Sequence, residues 1–227
     1  MDRPHVHINV AASADGKIDT VARGGAAISS PRDRERVDRL RAGADAVMVG
    51  GRTLLDEDPR LTVKAEALRL ERLKRGLPPH PAKVGIVTRA DLKPGCAFLT
   101  AGPARILIFT TARTSQAQLE RLRARGVEVF VGRGRRVDLR AALGRLKQLG
   151  IARLLVEGGA GLNFELLRLG LVDELSVYVA PLVFGGESAP TLAGGAGLPR
   201  TAAVPLELMQ VQQWEDGGVL LHYKVPG

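Results

Sequence analysis

Two stretches of the chain carry a run of apolar residues into a cluster of glycines: AVMVGGRT at 46–53 and LLVEGGAGLN at 154–163. A strand needing only a reversal would be served by Asn-Gly or Asp-Gly. Here the bare backbone at Gly50 and Gly51 is followed by a cation and a hydroxyl, Arg52 and Thr53, and then by the acids of DED. Main-chain N–H groups exposed at such a turn can hold an anion. The same residues also suit a plain strand-to-helix turn that uses glycine for its conformational freedom, and the segment alone leaves both uses open. In the second stretch, backbone donors at Gly158, Gly159, Ala160 and Gly161 face whatever lies over the strand's carboxyl end, the ligand crevice of open α/β sheets. Neither cluster is G-x-G-x-x-G or a Walker A. Two such turns in one chain suit the two ends of a dinucleotide. Glu157, just before the glycines, is expected to be partly desolvated and able to accept hydrogen bonds from a substrate or move a proton; capping its own turn is the alternative.

A third cluster, NVAASADGKI at 9–18, places Asn9 and Ser13 as polar interruptions in a strand expected to be buried. Asp15, Gly16 and Lys17 read as a tight turn, which leaves Asn9 unexplained, and Asn9 and Ser13 are candidate substrate-binding residues. Arg41, Arg60 and Lys64 are cations available to a substrate phosphate, although each alone reads equally as a solvated side chain. No metal site is expected: His5 and His7 alternate on one strand, His80 sits among prolines, His222 is in the last strand, and no Cys/His spacing fits zinc. Cys96 reads as a small packed residue.

These groups need a frame. Apolar runs of strand length recur at 5–12, 46–50, 83–88, 104–110, 127–131, 152–158 and 174–181. Between them lie helical patterns: 30–44, with Ser30 as N-cap and Pro31 at the first position; 115–125; 138–149, opened by a capping aspartate; and 162–169. A short helix is expected to start near Thr53. Near-continuous Val/Ile/Leu strands alternating with helices imply a mostly parallel sheet covered on both faces. Residues 205–225 break that pattern and read as an antiparallel hairpin. The expected class is a three-layer α/β fold with a mostly parallel central sheet and an antiparallel C-terminal hairpin, as a single domain over 1–227.

The chain has 227 residues and a formal net charge of +9, but aromatic residues are only 4% and none is interleaved with the basic ones. A base-stacking surface is therefore not expected, and neither is nucleic acid as a partner. Much of the arginine lies on helices that also carry acids, as in RDRERVDRLR, and this reads as a solvated face; GRGRR at 132–136 reads as a solvated loop. No apolar window reaches membrane-span length and no signal peptide is visible. The single cysteine excludes an internal disulfide and fits a cytoplasmic location.

Taken with ISS (28–30), RVDRLRAGADAVMVGGRTLLDEDPRLTV (36–63), LVDELSVYVAPLVFGG (171–186) and the following SAPT, these motifs resemble the reductases of riboflavin biosynthesis, whose fold is similar to dihydrofolate reductase. The stand-alone form with GGESAPTLAGGAG looks most like the archaeal type. The resemblance implies NADPH as cofactor, with NADH a second donor, along the carboxyl edge of the sheet. It matches cofactor contacts to Thr53 and Glu57, to the strand end Ile86, Val87, Thr88 and Arg89, and to the turn at 158–161. Arg41, Leu61, Lys64 and Glu157 match positions lining a phosphorylated pyrimidine substrate, and Glu157 and Glu57 are the candidate proton donors. Two departures stand out: Glu57 replaces the family's usual aspartate, and Arg89 stands where a serine is common, so that its guanidinium suits the 2′-phosphate of NADPH. The resemblance implies reduction of a ribosylamino group to ribitylamino, with the deaminated uracil substrate or a pterin as alternatives. It also suggests a homodimer, for which LSVYVAPLVF (175–184) is the expected interface.

Overall fold

The computed structural model describes residues 2–226. The chain divides into two compact units, one formed by residues 1–4 and 38–155 and the other by 5–37 and 156–227. Helix α1 (Pro31–Gly43) and strand β6 (Arg153–Val156) contribute to both.

The first unit is built on β2 (Ala46–Gly50), β3 (Ala82–Ile86), β4 (Ile106–Thr111) and β5 (Glu128–Gly132), in the spatial order β5-β4-β3-β2 and parallel throughout. Every residue of β2 and β3 is buried, which is why β2 reads as an unbroken apolar run and β3 as one interrupted only at Lys83. The helices between them follow their caps. In α4 (Gln116–Arg123), the Ser115 hydroxyl accepts from the Gln118 N–H while the Gln118 side chain returns to the Ser115 N–H. In α5 (Leu139–Gln148), Asp138 accepts from the Ala141 N–H. The core of this unit joins Val47, Val49, Leu54, Leu61, Val87, Phe98, Ile108 and Leu122.

The second unit contains β1 (His5–Ser13), β7 (Glu174–Ala180), β8 (Glu207–Gln213) and β9 (Val219–Lys224), in the order β1-β7-β9-β8. Strand β7 runs parallel to β1 and antiparallel to β9, and β8 and β9 form the expected hairpin. Its core packs Ile28, Ala180 and Leu220 around Tyr178 and Trp214, whose rings stack at 5.1 Å with the Arg32 guanidinium 4.7 Å above the indole. Helix α6 (Ala160–Arg168) follows β6 through the second glycine cluster.

The mostly parallel sheet and the antiparallel hairpin are as the sequence predicts. Boundaries differ where periodicity is silent: β3 ends at Ile86 and β6 at Val156, each two residues before its apolar run does, and α6 begins two residues earlier than expected. Helix α2 (Glu66–Lys74) and the four-residue α3 (Ala97–Thr100) have no counterpart in the sequence reading.

Candidate active site

In the first unit, β2 ends at Gly50 and the chain crosses the end of β3 at Gly51. A Cβ on Gly51 would stand 3.2 Å from Val87 Cγ2, so close packing accounts for this glycine whether or not a ligand binds there. The next segment, Thr53–Glu57, is a π-helix, with Thr53 and Leu54 buried and Glu57 exposed. Asp58 ends it in the left-handed conformation, φ 46°, and Leu61 repeats that conformation at φ 50°. Non-glycine residues adopt this region at a cost, so both need support. Asp58 has it: its carboxylate accepts from the Ala97 N–H at 2.7 Å and the Phe98 N–H at 2.9 Å. Leu61 is anchored by its side chain, 1% exposed in the core. What Leu61 offers a ligand is therefore backbone.

The following stretch is held by α1. The Asp38 carboxylate accepts from the N–H groups of Lys64 and Ala65, both at 2.7 Å, and Arg41 Nη1 donates to the Thr62 carbonyl at 3.1 Å. Two residues one turn apart on α1 thus bring Arg41 and Lys64 to one segment. The β3 end is organised differently. Ile86 and Val87 are buried, and the Thr88 carbonyl accepts from Thr110 Oγ1 at 3.3 Å and Thr111 Oγ1 at 2.7 Å. Arg89 is exposed and paired with Asp91 at 3.2 Å.

In the second unit, Glu157 is half-buried immediately after β6. Gly158 and Gly159 follow at φ 106° and 64°, a conformation that L side chains rarely adopt. Helix α6 then opens with no side chain capping its first N–H groups. Space is left beside Gly158 and Gly161, since no atom lies within 4 Å of where a Cβ would stand on either. Within α6, Asn163 is fully buried; its Nδ2 donates to the Leu192 carbonyl, while its Oδ1 has no partner. Bare helix-start amides beside open space suit an anionic cofactor group.

Asn9 and Ser13 have local explanations. Asn9 Oδ1 accepts from Arg36 at 2.6 Å, Arg36 pairs with the wholly buried Asp33 at 2.8 Å, and Asp33 accepts from the Ser29 hydroxyl at 2.6 Å. The Ser13 hydroxyl donates to Asp15 at 2.6 Å and accepts from the Lys17 N–H at 3.0 Å, closing the Asp-Gly-Lys turn. That bond, helped by the Phe184 and Gly185 N–H groups, lowers the Asp15 pKa to about 2. The reading of RDRERVDRLR as a solvated face needs correction. Asp33 and Asp38 are buried and hold strand β1 and the Lys64 segment, because each finds donors that repay its dehydration. Their placement among arginines masked them in the sequence. GRGRR is exposed, as expected.

Parallel strands alternating with helices, with an antiparallel hairpin at the C-terminus, have the architecture of the dihydrofolate reductase-like fold. The model of the RibD C-terminal domain family matches residues 4–220, and the chain belongs to that family. It is 41% identical, over 99% of its own length and all of the relative's, to a protein of Methanothermobacter thermautotrophicus named 2,5-diamino-6-ribosylamino-4(3H)-pyrimidinone 5′-phosphate reductase. A protein of the same name from Archaeoglobus fulgidus is also 41% identical, over 85% of the chain and 87% of the relative. Among solved structures, Acinetobacter baumannii RibD superposes with a TM-score of 0.80 at 26% identity, covering all of this chain and 59% of that one. A dihydrofolate reductase of Enterococcus faecalis complexed with NADP(H) shares the fold at TM-score 0.54 and 12% identity, covering 98% of this chain and 97% of that one. The named relatives are reductases, and the chain is an oxidoreductase.

Proposed function

We propose that the chain catalyses the NADPH-dependent reduction of 2,5-diamino-6-ribosylamino-4(3H)-pyrimidinone 5′-phosphate, converting its ribosylamino side chain to ribitylamino. The observation that carries this reading is the 41% identity, end to end, to a reductase named for that substrate.

When bound, the nicotinamide supplies a hydride to the former anomeric carbon of the opened sugar. The residues proposed to hold it are Gly50, Gly51, Thr53, Glu57 and the strand end 86–89 in the first unit, and the uncapped start of α6 with Gly158 and Gly161 in the second. For the substrate, Arg41 and Lys64 place two cations on one segment, fixed through Thr62 and Asp38, where they suit the 5′-phosphate. Leu61 would contribute its main chain. Asn9 is held through Arg36 with its carbonyl oxygen occupied, so only its amide is offered to the pyrimidine.

Reduction of the imine form needs one proton at nitrogen along with the hydride. Glu157, half-buried at a strand end, is the proposed donor; Glu57, exposed to water, is better suited to a cofactor contact. Most of the rate is expected from holding donor and acceptor carbons roughly 3–3.5 Å apart. The protein is expected to act in the cytoplasm.

The test follows NADPH oxidation by absorbance with each pyrimidine in turn. The diamino-pyrimidinone phosphate should be reduced, and the deaminated uracil phosphate or dihydrofolate turned over at least tenfold less efficiently. A preference for either alternative overturns the substrate assignment. Glu157→Gln should lower turnover about a hundredfold while leaving NADPH affinity nearly unchanged; full activity removes Glu157 from the role.

A further inference from the structure

We propose that His7, Glu174 and His222 form a zinc-binding site on the second unit, stapling strands β1, β7 and β9. The three residues are distant in sequence, which is why no histidine spacing announced them. The sheet brings them together: His7 lies opposite Glu174 in the parallel β1–β7 pairing, and His222 lies opposite Ser176, two residues along the same face of β7. One donor atom from each of the three lies within 4.8 Å of the other two. His222 Nε2 is 2.9 Å and His7 Nδ1 3.9 Å from the same carboxylate oxygen, Glu174 Oε2. Ligand atoms around tetrahedral zinc stand about 3.3 Å apart, given bonds of about 2.0–2.2 Å, so small side-chain rotations suffice.

The chemistry of the donors agrees. His7 Nε2 is 2.8 Å from Ser176 Oγ; with that nitrogen protonated and donating to the hydroxyl, the Nδ1 lone pair is left for a ligand beside Glu174 Oε2, 3.9 Å away, while the His222 ring stacks on that of His7 at 5.7 Å. A ligand imidazole whose other nitrogen is engaged in this way is the usual support around a metal. Of the cations nearby, Arg36 is paired with Asp33 at 2.8 Å, and Lys224 lies opposite Glu174 in the β7–β9 pairing. His5, 48% exposed by its side chain, lies 3.2 Å from the second oxygen of Glu174 and completes a set of three imidazoles and one carboxylate on this face. Two or three imidazoles with a carboxylate suit Zn²⁺ rather than Mg²⁺ or Ca²⁺.

The experiment uses the full chain without an affinity tag, stripped with a chelator and titrated with Zn²⁺ in a calorimeter. One ion per chain is expected. His222→Ala and His7→Gln should each weaken binding at least tenfold, while Glu174→Gln should remove most of it. At a hundredfold excess over the dissociation constant, zinc should raise the unfolding midpoint by about 5 °C or more. Co²⁺ in place of zinc should give visible absorption bands that vanish in His222→Ala. Should His7→Gln fail to fold, His222→Ala carries the comparison, since its side chain is 31% exposed. No stoichiometric uptake, uptake unchanged in His222→Ala, or a cobalt spectrum showing thiolate ligation by Cys96 would each overturn the proposal.

Discussion

Arg89 shows how much one side chain can decide. It stands exposed at the end of β3, its guanidinium 3.2 Å from the Asp91 carboxylate. An exposed pair of this kind contributes little to stability, so the arginine can exchange partners at small cost. If the adenosine end of the cofactor lies here, Arg89 meets a 2′-phosphate in NADPH and only a hydroxyl in NADH. Arg89→Ala should then raise the KM for NADPH about tenfold and leave that for NADH nearly unchanged; equal changes with both donors would place the 2′-phosphate elsewhere. Arg89 is legible in the sequence only through the resemblance, since no glycine cluster adjoins it. Asn9 and Ser13 were legible only as anomalies. The partner of Asn9, Arg36, comes from a helix whose approach no local pattern encodes, whereas that of Ser13, Asp15, lies two residues on in the turn the sequence does mark.

Among the elements, long ones declared themselves and short ones did not. Strands β2 and β4 and helices α4 and α5 carry uninterrupted apolar runs or caps. Helix α3 has four residues, too few to show a period, and it is held by charges from elsewhere in the first unit. Asp58 accepts from the N–H groups of Ala97 and Phe98, and Lys83 Nζ donates to the carbonyls of Phe98 at 2.9 Å and Ala101 at 2.6 Å. A lysine inside an all-buried strand reads in the sequence as an interruption; here it ties off a helix. Burial lowers its pKa from 10.5 to about 8 despite the nearby negative groups. Below pH 8 both folded and unfolded chains hold the proton, and the cost of burying the charge is fully present. Between 8 and 10.5 the folded chain has shed a proton that the unfolded chain retains, so stability rises with pH there. At about 1.4 kcal/mol for each tenfold step in the proton equilibrium, the gain is roughly 3 kcal/mol. Urea unfolding of the native chain and of Lys83→Met, compared at pH 8, 9 and 10, should show the native chain gaining on the variant. A constant difference would mean that the buried amine is not titrating in this range.

For the molecule as a whole, the question is whether it meets a second copy, and through which surface. Of the stretch 175–184, expected to form the interface, the β7 part is buried at Leu175, Val177, Tyr178 and Ala180 and flanked by β1 and β9, while Val183 beyond the strand is 71% exposed. An apolar run marks burial equally well in a sheet interior and in an interface, and sequence alone does not separate the two. Strand β8 has the properties that β7 lacks. Among the described residues it pairs only with β9, and Leu206 just before it and Leu208, Met209 and Val211 within it are between 43% and 57% exposed. The register shift between Leu208 and Gln210 reverses the alternation, which puts Leu208 and Val211 on one face opposite Tyr223 and Leu221. His222 and the proposed zinc ligands occupy the other face, so the two features do not compete. A bare edge strand with an apolar face invites pairing unless something covers it. We expect two chains to associate through this hairpin, burying on the order of 1,200–2,000 Å² between them. Light scattering of the eluted peak should report twice the chain mass, and Leu208→Lys with Val211→Lys should halve it while leaving the circular dichroism spectrum intact. A native chain that elutes as a monomer, or a double variant that remains dimeric, would move the contact away from β8.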